Sequence, residues 1–204
     1  MLTRSSQLGS RRMHSLEPHS AWRTRYLASE DERSPFYLDQ GAPSNGRYHQ
    51  MYDFVIHPEW DDIGCETLFV KVLFVDYVEG CTVIEFLGEW NDALHNDVME
   101  FKRRVVDPML AEGIVRFVLI GDNLLNFHAS EPDYYAEWAE EVEEEGGWIV
   151  GLNFRDHVAD EVARARLSRY IWTGPRFRLG TWRAQDPLML CQAVEVMVQK
   201  RLGV

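Results

Sequence analysis

Apolar residues between positions 113 and 153 fall into two short runs separated by a segment of helix length. The first run covers residues 114–120 (IVRFVLI), and the second covers Trp148–Leu152 (WIVGL). Neither run alternates regularly with polar residues, which is typical of strands covered on both faces. Because parallel strands need a crossover connection, the pattern predicts a βαβ unit around which the rest of the chain is organised.

A β-hairpin is predicted before this unit. Residues 67–77 (TLFVKVLFVDY) and 82–87 (TVIEFL) are rich in β-branched and aromatic side chains, and they flank the turn-forming residues 78–81. So short a connection favours antiparallel pairing of the two strands.

Helices then alternate with strands to the end of the chain. The first helix is capped by Asn91 or Asp92, carries the cationic run 102–104 (KRR) near its far end, where cations suit the helix dipole, and ends at Gly113. The remaining elements are helices over 133–145 and 156–170, a strand over 177–182, and a helix after Asp186-Pro187. This order predicts an α/β fold: an N-terminal β-hairpin followed by βαβαβα units, in a mixed, mostly parallel sheet with helices packed on it.

The first 48 residues differ from this pattern, because Ser, Arg, Pro and Gly occur there without sustained periodicity. Their composition predicts a mobile N-terminal tail over residues 1–48, with a short ordered piece at 22–26. Residues 49–204 then form a single α/β domain. Met13 is a second candidate start of the protein beside Met1.

The helix over 133–145 has one apolar face and one face rich in glutamate, and Gly146-Gly147 ends it. The acidic face includes Glu137, Glu141 and Glu144, and it is either a solvated surface or a docking surface for a basic protein partner. Ser130 lies three residues before Asp133, a spacing that favours a role for Ser130 as helix N-cap.

Local motifs in this order resemble the STAS family, the domain of bacterial anti-sigma factor antagonists. They are the Gly88-Glu89 step after TVIEFL, the stretch FVLIGDNLLNFHASEPDYY, and the Gly-Gly before the next strand. The similarity spans residues 67–200 and implies a STAS-like fold. It also places Ser130 at the position of the family's serine, which a partner kinase phosphorylates to switch binding. The whole chain further resembles a bacterial family with similar GEWND and NFH stretches, which implies no activity.

Charge narrows the range of partners. The formal net charge is −12, yet residues 1–50 carry seven Arg and only five acidic residues, so the negative charge lies in the rest of the chain. This distribution argues against nucleic acid or an anionic membrane surface, because phosphate binding requires Lys and Arg to replace counterions. A protein partner, a cationic ligand or a metal ion is easier to accommodate, and of these a protein, which could be basic, is the expected partner.

Three cysteines, Cys65, Cys81 and Cys191, stand among apolar residues at wide spacing, which is typical of buried free thiols in a reducing compartment. No run approaches the length of a membrane span, and no secretory signal pattern opens the chain, so the expected localisation is cytoplasmic. No nucleotide, metal or nucleophile motif is found, so no cofactor and no metal are expected.

Polar residues follow the ends of the predicted parallel strands, where open α/β sheets bind ligands. The candidate catalytic residues there are Asp122, His128, Asn153 and His157, and the candidate binding residues are Asn123, Asn126 and Ser130. Helix caps and turns require the same residue types, so capping, a ligand site and a partner surface all remain open.

The leading hypothesis is a non-enzymatic, cytoplasmic protein-binding or regulatory module of STAS-like fold, acting through the acidic helix and the loop before it. The alternative is a small enzyme or metal-binding protein that uses the polar residues at the strand ends. A third possibility is a homo-oligomer in which exposed tryptophans form the interface.

Overall fold

The computed structural model describes residues 14–38, 50–51 and 54–203. Its strands are β1 (His14–Leu16), β2 (Gln50–Met51), β3 (Phe54–Ile56), β4 (Leu68–Asp76), β5 (Cys81–Asn91), β6 (Arg116–His128) and β7 (Trp148–Leu152). Its α-helices are α1 (Asp92–His95), α2 (Asp97–Phe101), α3 (Asp107–Ala111), α4 (Asp133–Glu144), α5 (Asp156–Arg164) and α6 (Pro187–Leu202). A π-helical turn, Lys102–Val106, joins α2 to α3.

The main sheet has four strands in the order β4-β5-β6-β7. The hairpin pair β4/β5 is antiparallel, whereas β5/β6 and β6/β7 are parallel. The predicted fold class, a mixed α/β sheet that opens with a hairpin and continues through crossovers, is therefore confirmed. A second, three-stranded sheet has the order β1-β3-β2.

Both faces of the main sheet are covered. Successive residues of β5 alternate between them: Ile84 and Phe86 pack beneath α2, α4 and α5, while Cys81 and Val83 pack beneath α6. This two-sided burial is the reason that the strands read as continuous apolar runs. Five of the seven tryptophans are buried in these layers, Trp60 is buried in a smaller cluster with Ile56, Phe69 and Leu87, and Trp172 is half-buried. The tryptophans are therefore not the exposed interface considered for an oligomer.

Residues 16–38 lie against this domain, which differs from the expected mobile tail over residues 1–48. Trp22 packs in the layer beneath α6, and Ala28 and Phe36 join the core on the opposite face. The physical reason is the large apolar area that a few isolated aromatic side chains bury without any periodic pattern. Residues 1–13 and 39–48 of the expected tail, Met13 included, lie outside the described residues.

Strand β6 continues to His128, so residues 121–128 are strand although residues 121–129 were expected to form the loop before the acidic helix. Strand β5 also extends beyond its predicted end, and the two strands remain paired as far as Asn91 and His128. Register shifts in this pair interrupt the apolar alternation, so the sequence of the extension looks like a polar loop.

Three boundaries also differ from expectation. The run 177–182 is not a strand, because it turns and closes on β7 through a hydrogen bond from the Asn153 amide to the Phe177 carbonyl (2.9 Å). Helix α5 ends at Arg164, and the left-handed Arg166 (φ 60°) starts a short 3-10 turn. Ser130 is not the cap of α4: the N-cap position is Pro132, which has no capping side chain.

Two helix ends direct the chain into the parallel strands. After α4, the Gly147 amide bonds to the Val142 carbonyl and the Gly146 amide to the Glu143 carbonyl, with Gly146 left-handed at φ 72°. This pattern is the Schellman motif, and it recurs after α3 around Gly113. Glycine at these positions therefore fixes where β6 and β7 begin.

Gly147→Ala tests this packing. A Cβ at Gly147 would lie 1.9 Å from the Val115 carbonyl oxygen, so the start of β7 must move away from β6. We expect the free energy of unfolding to fall by about 2 to 4 kcal/mol. Gly180→Ala is the control, because nothing lies within 4 Å of its Cβ, and it should change stability by no more than about 1 kcal/mol. If urea unfolding shows the same loss of unfolding free energy for both variants, this account is contradicted.

Candidate functional site

The side chain of Lys102 is the centre of the most unusual charge arrangement in the described structure. It lies at the start of the π-helical turn and is only 3% exposed. Inserted π turns are frequent at functional sites, and a nearly buried lysine requires ionic partners.

Three carboxylates surround the Lys102 ammonium. Its Nζ lies 2.7 Å from Asp107 Oδ1, 3.0 Å from Glu137 Oε1 and 3.0 Å from Glu141 Oε2. These contacts use all three N–H donors of the ammonium. Burial alone lowers the pKa of Lys102, but the three carboxylates outweigh burial and raise the pKa above its ordinary value. Lys102 is therefore charged at neutral pH and ties the π turn to α4.

A cavity of about 550 Å³ opens around this group between α3 and α4. We call it the acidic cleft, and it is lined by Lys102, Asp107, Leu110, Ala111, Gly113, Val115, Glu137, Glu141 and Glu145. Four carboxylates face one ammonium there, so the cleft carries a net negative charge. Each carboxylate that contacts Lys102 does so through one oxygen, which leaves the other oxygen able to accept a hydrogen bond.

The surface beside the cleft is also negatively charged. Glu140, Glu143 and Glu144 are exposed on α4 and continue the acidic face that was predicted from sequence. Glu137 and Glu141, two of the predicted binding residues, lie inside the cleft, and Glu144 lies outside it. Ser130 is exposed in the segment that leads to α4.

Two of the four candidate catalytic residues, Asp122 and Asn153, bind groups in the segment between β7 and α6. The Asp122 carboxylate accepts from Trp182 Nε1 (2.8 Å) and from Arg183 Nη2 (3.1 Å), which fixes the turn before α6. Asn153, left-handed at φ 57°, accepts from the Leu179 amide (2.7 Å) and donates to the Leu179 carbonyl (3.1 Å). Asp122 and Asn153 therefore both hold the segment between β7 and α6.

The two histidines of the predicted set do not share these contacts. His157 Nε2 lies 2.6 Å from the Leu125 carbonyl oxygen, so it joins α5 to β6, whereas His128 is exposed at the end of β6. The two asparagines pair across the strands: Asn123 donates to Glu85 (3.4 Å) and Asn126 donates to Glu89 (2.6 Å). In the part of the chain that the structure describes, no group of three His, Cys, Asp or Glu side chains could hold a metal ion.

A buried network at Glu85 was missed from the sequence. The Glu85 carboxylate is fully buried in β5 and accepts from the His19 amide (2.8 Å) and from Arg183 Nη2 (3.0 Å). Burial raises its pKa, and the His19 amide and the Arg183 charge oppose that shift. The sequence feature that could have indicated this buried carboxylate is an isolated glutamate inside the apolar strand TVIEFL. The network joins the N-terminal segment and the turn before α6 to the centre of the sheet.

Asp92 is a second buried carboxylate, at the point where β5 passes into α1. Its Oδ1 accepts from Trp90 Nε1 (2.9 Å) and the Val98 amide (2.8 Å), and its Oδ2 accepts from the Tyr135 hydroxyl. Burial raises the pKa of Asp92 to about 6, even though these donors lower it. Asp92 therefore connects β5 to α4 and titrates near neutral pH.

Comparison with known proteins gives one match of interest. The 1.59 Å crystal structure of a proposed anti-sigma factor antagonist from Thermotoga maritima aligns with a TM-score of 0.38 and 16% identity, over 52% of this chain and 85% of that chain. This is a resemblance of fold only. No protein-family profile matches the chain, and the search of curated proteins gives no match. Among the described residues, no helix is long and apolar enough to cross a membrane.

Lys102→Met tests the ionic centre of the cleft. Methionine keeps the aliphatic volume but leaves three carboxylates without their shared cation, so we expect unfolding to require about 2 to 3 kcal/mol less. Arg104→Met is the matched control, because its pair with Glu100 lies on the surface and should contribute less than about 1 kcal/mol. Equal urea midpoints for the two variants would exclude the central role of Lys102.

Asp92→Asn tests the buried carboxyl. Folding raises the pKa of Asp92 from 3.8 to about 6, so the folded state binds its proton more tightly, and stability increases as pH falls from about 7 to about 4. The shift corresponds to about 3 kcal/mol. Asparagine keeps the Oδ1 acceptor and should remove this part of the pH dependence, which makes the variant more stable than wild type at pH 7.5. The measurement is chemical unfolding at a series of pH values.

The exposed Asp160→Asn is the control for this titration, and its unfolding free energy should follow wild type at every pH. Asp97 is also buried with a raised pKa, so the wild-type curve includes more than one group. The difference between wild type and Asp92→Asn isolates Asp92. Parallel curves for these two proteins would show that folding does not raise the pKa of Asp92.

Proposed function

We propose that the protein is a non-enzymatic, cytoplasmic protein-binding module with a regulatory role, and that its acidic cleft receives a lysine or arginine side chain from a basic segment of its partner. One observation carries the proposal: four carboxylates line a cavity around a single ammonium that is already fully hydrogen-bonded. A second cation is the ligand that such a cavity favours.

The shape of the cleft supports a long cationic side chain. Leu110, Ala111 and Val115 contribute apolar surface along which the methylene groups of lysine or arginine can lie. The free carboxylate oxygens then accept from the charged end group, as charge-assisted hydrogen bonds that are stronger than neutral ones. The acidic surface of α4 around the cleft would accelerate the encounter with a basic segment.

The non-enzymatic part of the proposal draws support from the other polar groups. Asp122 and Asn153 hold the segment between β7 and α6, and His157 joins α5 to β6. Catalytic groups instead need to face a shared substrate within hydrogen-bond reach. Phosphorylation of the exposed Ser130, which the STAS resemblance implied, would add negative charge beside α4 and strengthen attraction for the same basic partner.

The test compares two triple variants of α4 as baits in affinity capture. Glu137→Gln, Glu141→Gln and Glu145→Gln neutralise the cleft, whereas Glu140→Gln, Glu143→Gln and Glu144→Gln remove the same charge from the helix outside the cleft. Each set removes three charges from one helix, and glutamine retains size and hydrogen-bonding capacity. We expect the cleft variant to lose its partner by at least about tenfold, the cost of one charge-assisted hydrogen bond.

The control variant should retain the partner to within about threefold, because exposed charges mainly change the association rate. Circular dichroism and urea unfolding of both variants establish that they are folded. Equal retention by all three baits would refute the cleft as the site. Equal loss by both variants would show that the general charge of α4 acts, without a specific cleft.

A further inference from the structure

Two cysteine sulfurs meet beneath α6. Cys81 is the first residue of β5, and Cys191 lies on the inner face of α6, so they belong to elements that contact each other across the sheet surface. Their Sγ atoms are 2.7 Å apart, although 110 positions separate the two residues in sequence. Both side chains are buried, and both are free thiols in this structure. The third cysteine, Cys65, is buried in the core on the other face of the sheet.

A groove connects this pair to solvent. It has a volume of about 360 Å³, and its walls include Cys81 and Cys191 together with Glu79, Arg116, Gln192 and Glu195. A molecule the size of water needs only about 30 Å³, so a peroxide can reach the sulfurs without unfolding. We call this cavity the thiol groove. The contact between two sulfurs distinguishes this pair from Cys65, which is itself 8% exposed.

The two thiols differ in environment. The neighbouring Cys191 thiol and burial raise the pKa of Cys81 well above its ordinary value, while the Arg116 charge opposes that shift. Cys81 is therefore protonated at neutral pH. Cys191 is the more exposed of the two, at 6% against 1%, so Cys191 is the sulfur that an oxidant in the groove meets first.

We propose that Cys81 and Cys191 are a reversible oxidation site, at which hydrogen peroxide converts the two thiols into an intramolecular disulfide. The Cys191 sulfur attacks one peroxide oxygen, the O–O bond breaks, and Cys191 becomes a sulfenic acid as the other oxygen leaves as water. The Cys81 sulfur then attacks the Cys191 sulfur, the S–O bond breaks, and a second water leaves. Two thiols and one hydrogen peroxide thus give one disulfide and two waters. Two molecules of a low-molecular-weight thiol then reduce the disulfide by exchange and leave as their own disulfide.

The disulfide would fasten α6 to the central strand of the sheet. It closes a chain segment of more than 100 residues, and the loss of that loop's freedom in the unfolded state stabilises the folded state. The thiol groove lies under α6, whereas the acidic cleft lies between α3 and α4. The oxidation site is thus independent of the proposed binding function and can be tested without a partner.

The test is thiol counting on the full chain before and after treatment with hydrogen peroxide. Denaturing alkylation of the reduced protein should label all three cysteines, whereas the oxidised protein should be labelled at Cys65 alone. Peptide mapping should recover a Cys81–Cys191 cross-linked peptide that a thiol reductant removes. The melting temperature of the oxidised protein should exceed that of the reduced protein by about 5 to 15 °C.

Three single variants give the controls. Cys65→Ser should retain both the cross-link and the temperature shift, while Cys81→Ser and Cys191→Ser should each lose both. The peptide map of wild type is informative even if a serine variant fails to fold. The proposal is overturned if peroxide-treated wild type still alkylates at all three cysteines. It is equally overturned if the loss of thiols occurs as sulfinic acid or as a disulfide between two chains.

Discussion

The parallel pairing of β5 with β6 is the interaction on which the remaining structure depends. Their ladder runs from Cys81 opposite Arg116 to Asn91 opposite His128, well beyond the end of β7 at Leu152. Because both faces of this pair are covered, each strand supplies side chains to two separate cores. The helices begin where these strands end: α1 follows β5 directly, and α4 follows β6 after a short turn. Displacing this pair would therefore displace both layers.

The position of the acidic cleft follows from the same pair. Gly113 and Val115 precede β6, Glu145 closes α4 just before β7, and all three line the cleft. The cleft thus lies at the amino ends of the parallel strands. The candidate catalytic residues predicted from sequence lie at the opposite, carboxyl ends of the strands, where open α/β sheets usually bind ligands. At that edge, Asp122 and Asn153 hold the chain between β7 and α6 instead.

Local sequence signals predicted the hairpin, the βαβ unit and the acidic helix because each depends on neighbouring residues. The ends of α3 and α4 could also be predicted from their glycines, because a left-handed residue at a helix end favours glycine. The extension of β6 could not be predicted, because register shifts interrupt the alternation of apolar and polar residues that identifies a strand. The ordered segment around Trp22 depends on single long-range contacts, such as the hydrogen bond from its indole to the Gln185 carbonyl.

The candidate site shows the same limit. The acidic residues of α4 were predicted, but Lys102 was interpreted only as one of three cations suited to a helix end. Its burial results from the π turn and from the approach of α4, which bring Glu137 and Glu141 to a residue more than 30 positions away. Charges distant in sequence cannot be matched from composition, because any of several acids could be the partner. The cleft could therefore not be predicted from sequence, because it depends on how α3 and α4 lie beside each other.

The most direct measurement of the central claim is an NMR titration of the ¹⁵N-labelled protein with a hexalysine peptide, observing the backbone amides and the Lys102 ammonium. The account predicts saturable shifts at the Lys102 ammonium and at the amides of residues 110–115 and α4. A hexaglutamate peptide should produce none. Shifts spread evenly over all exposed acidic residues, with the Lys102 signal unchanged, would contradict the account.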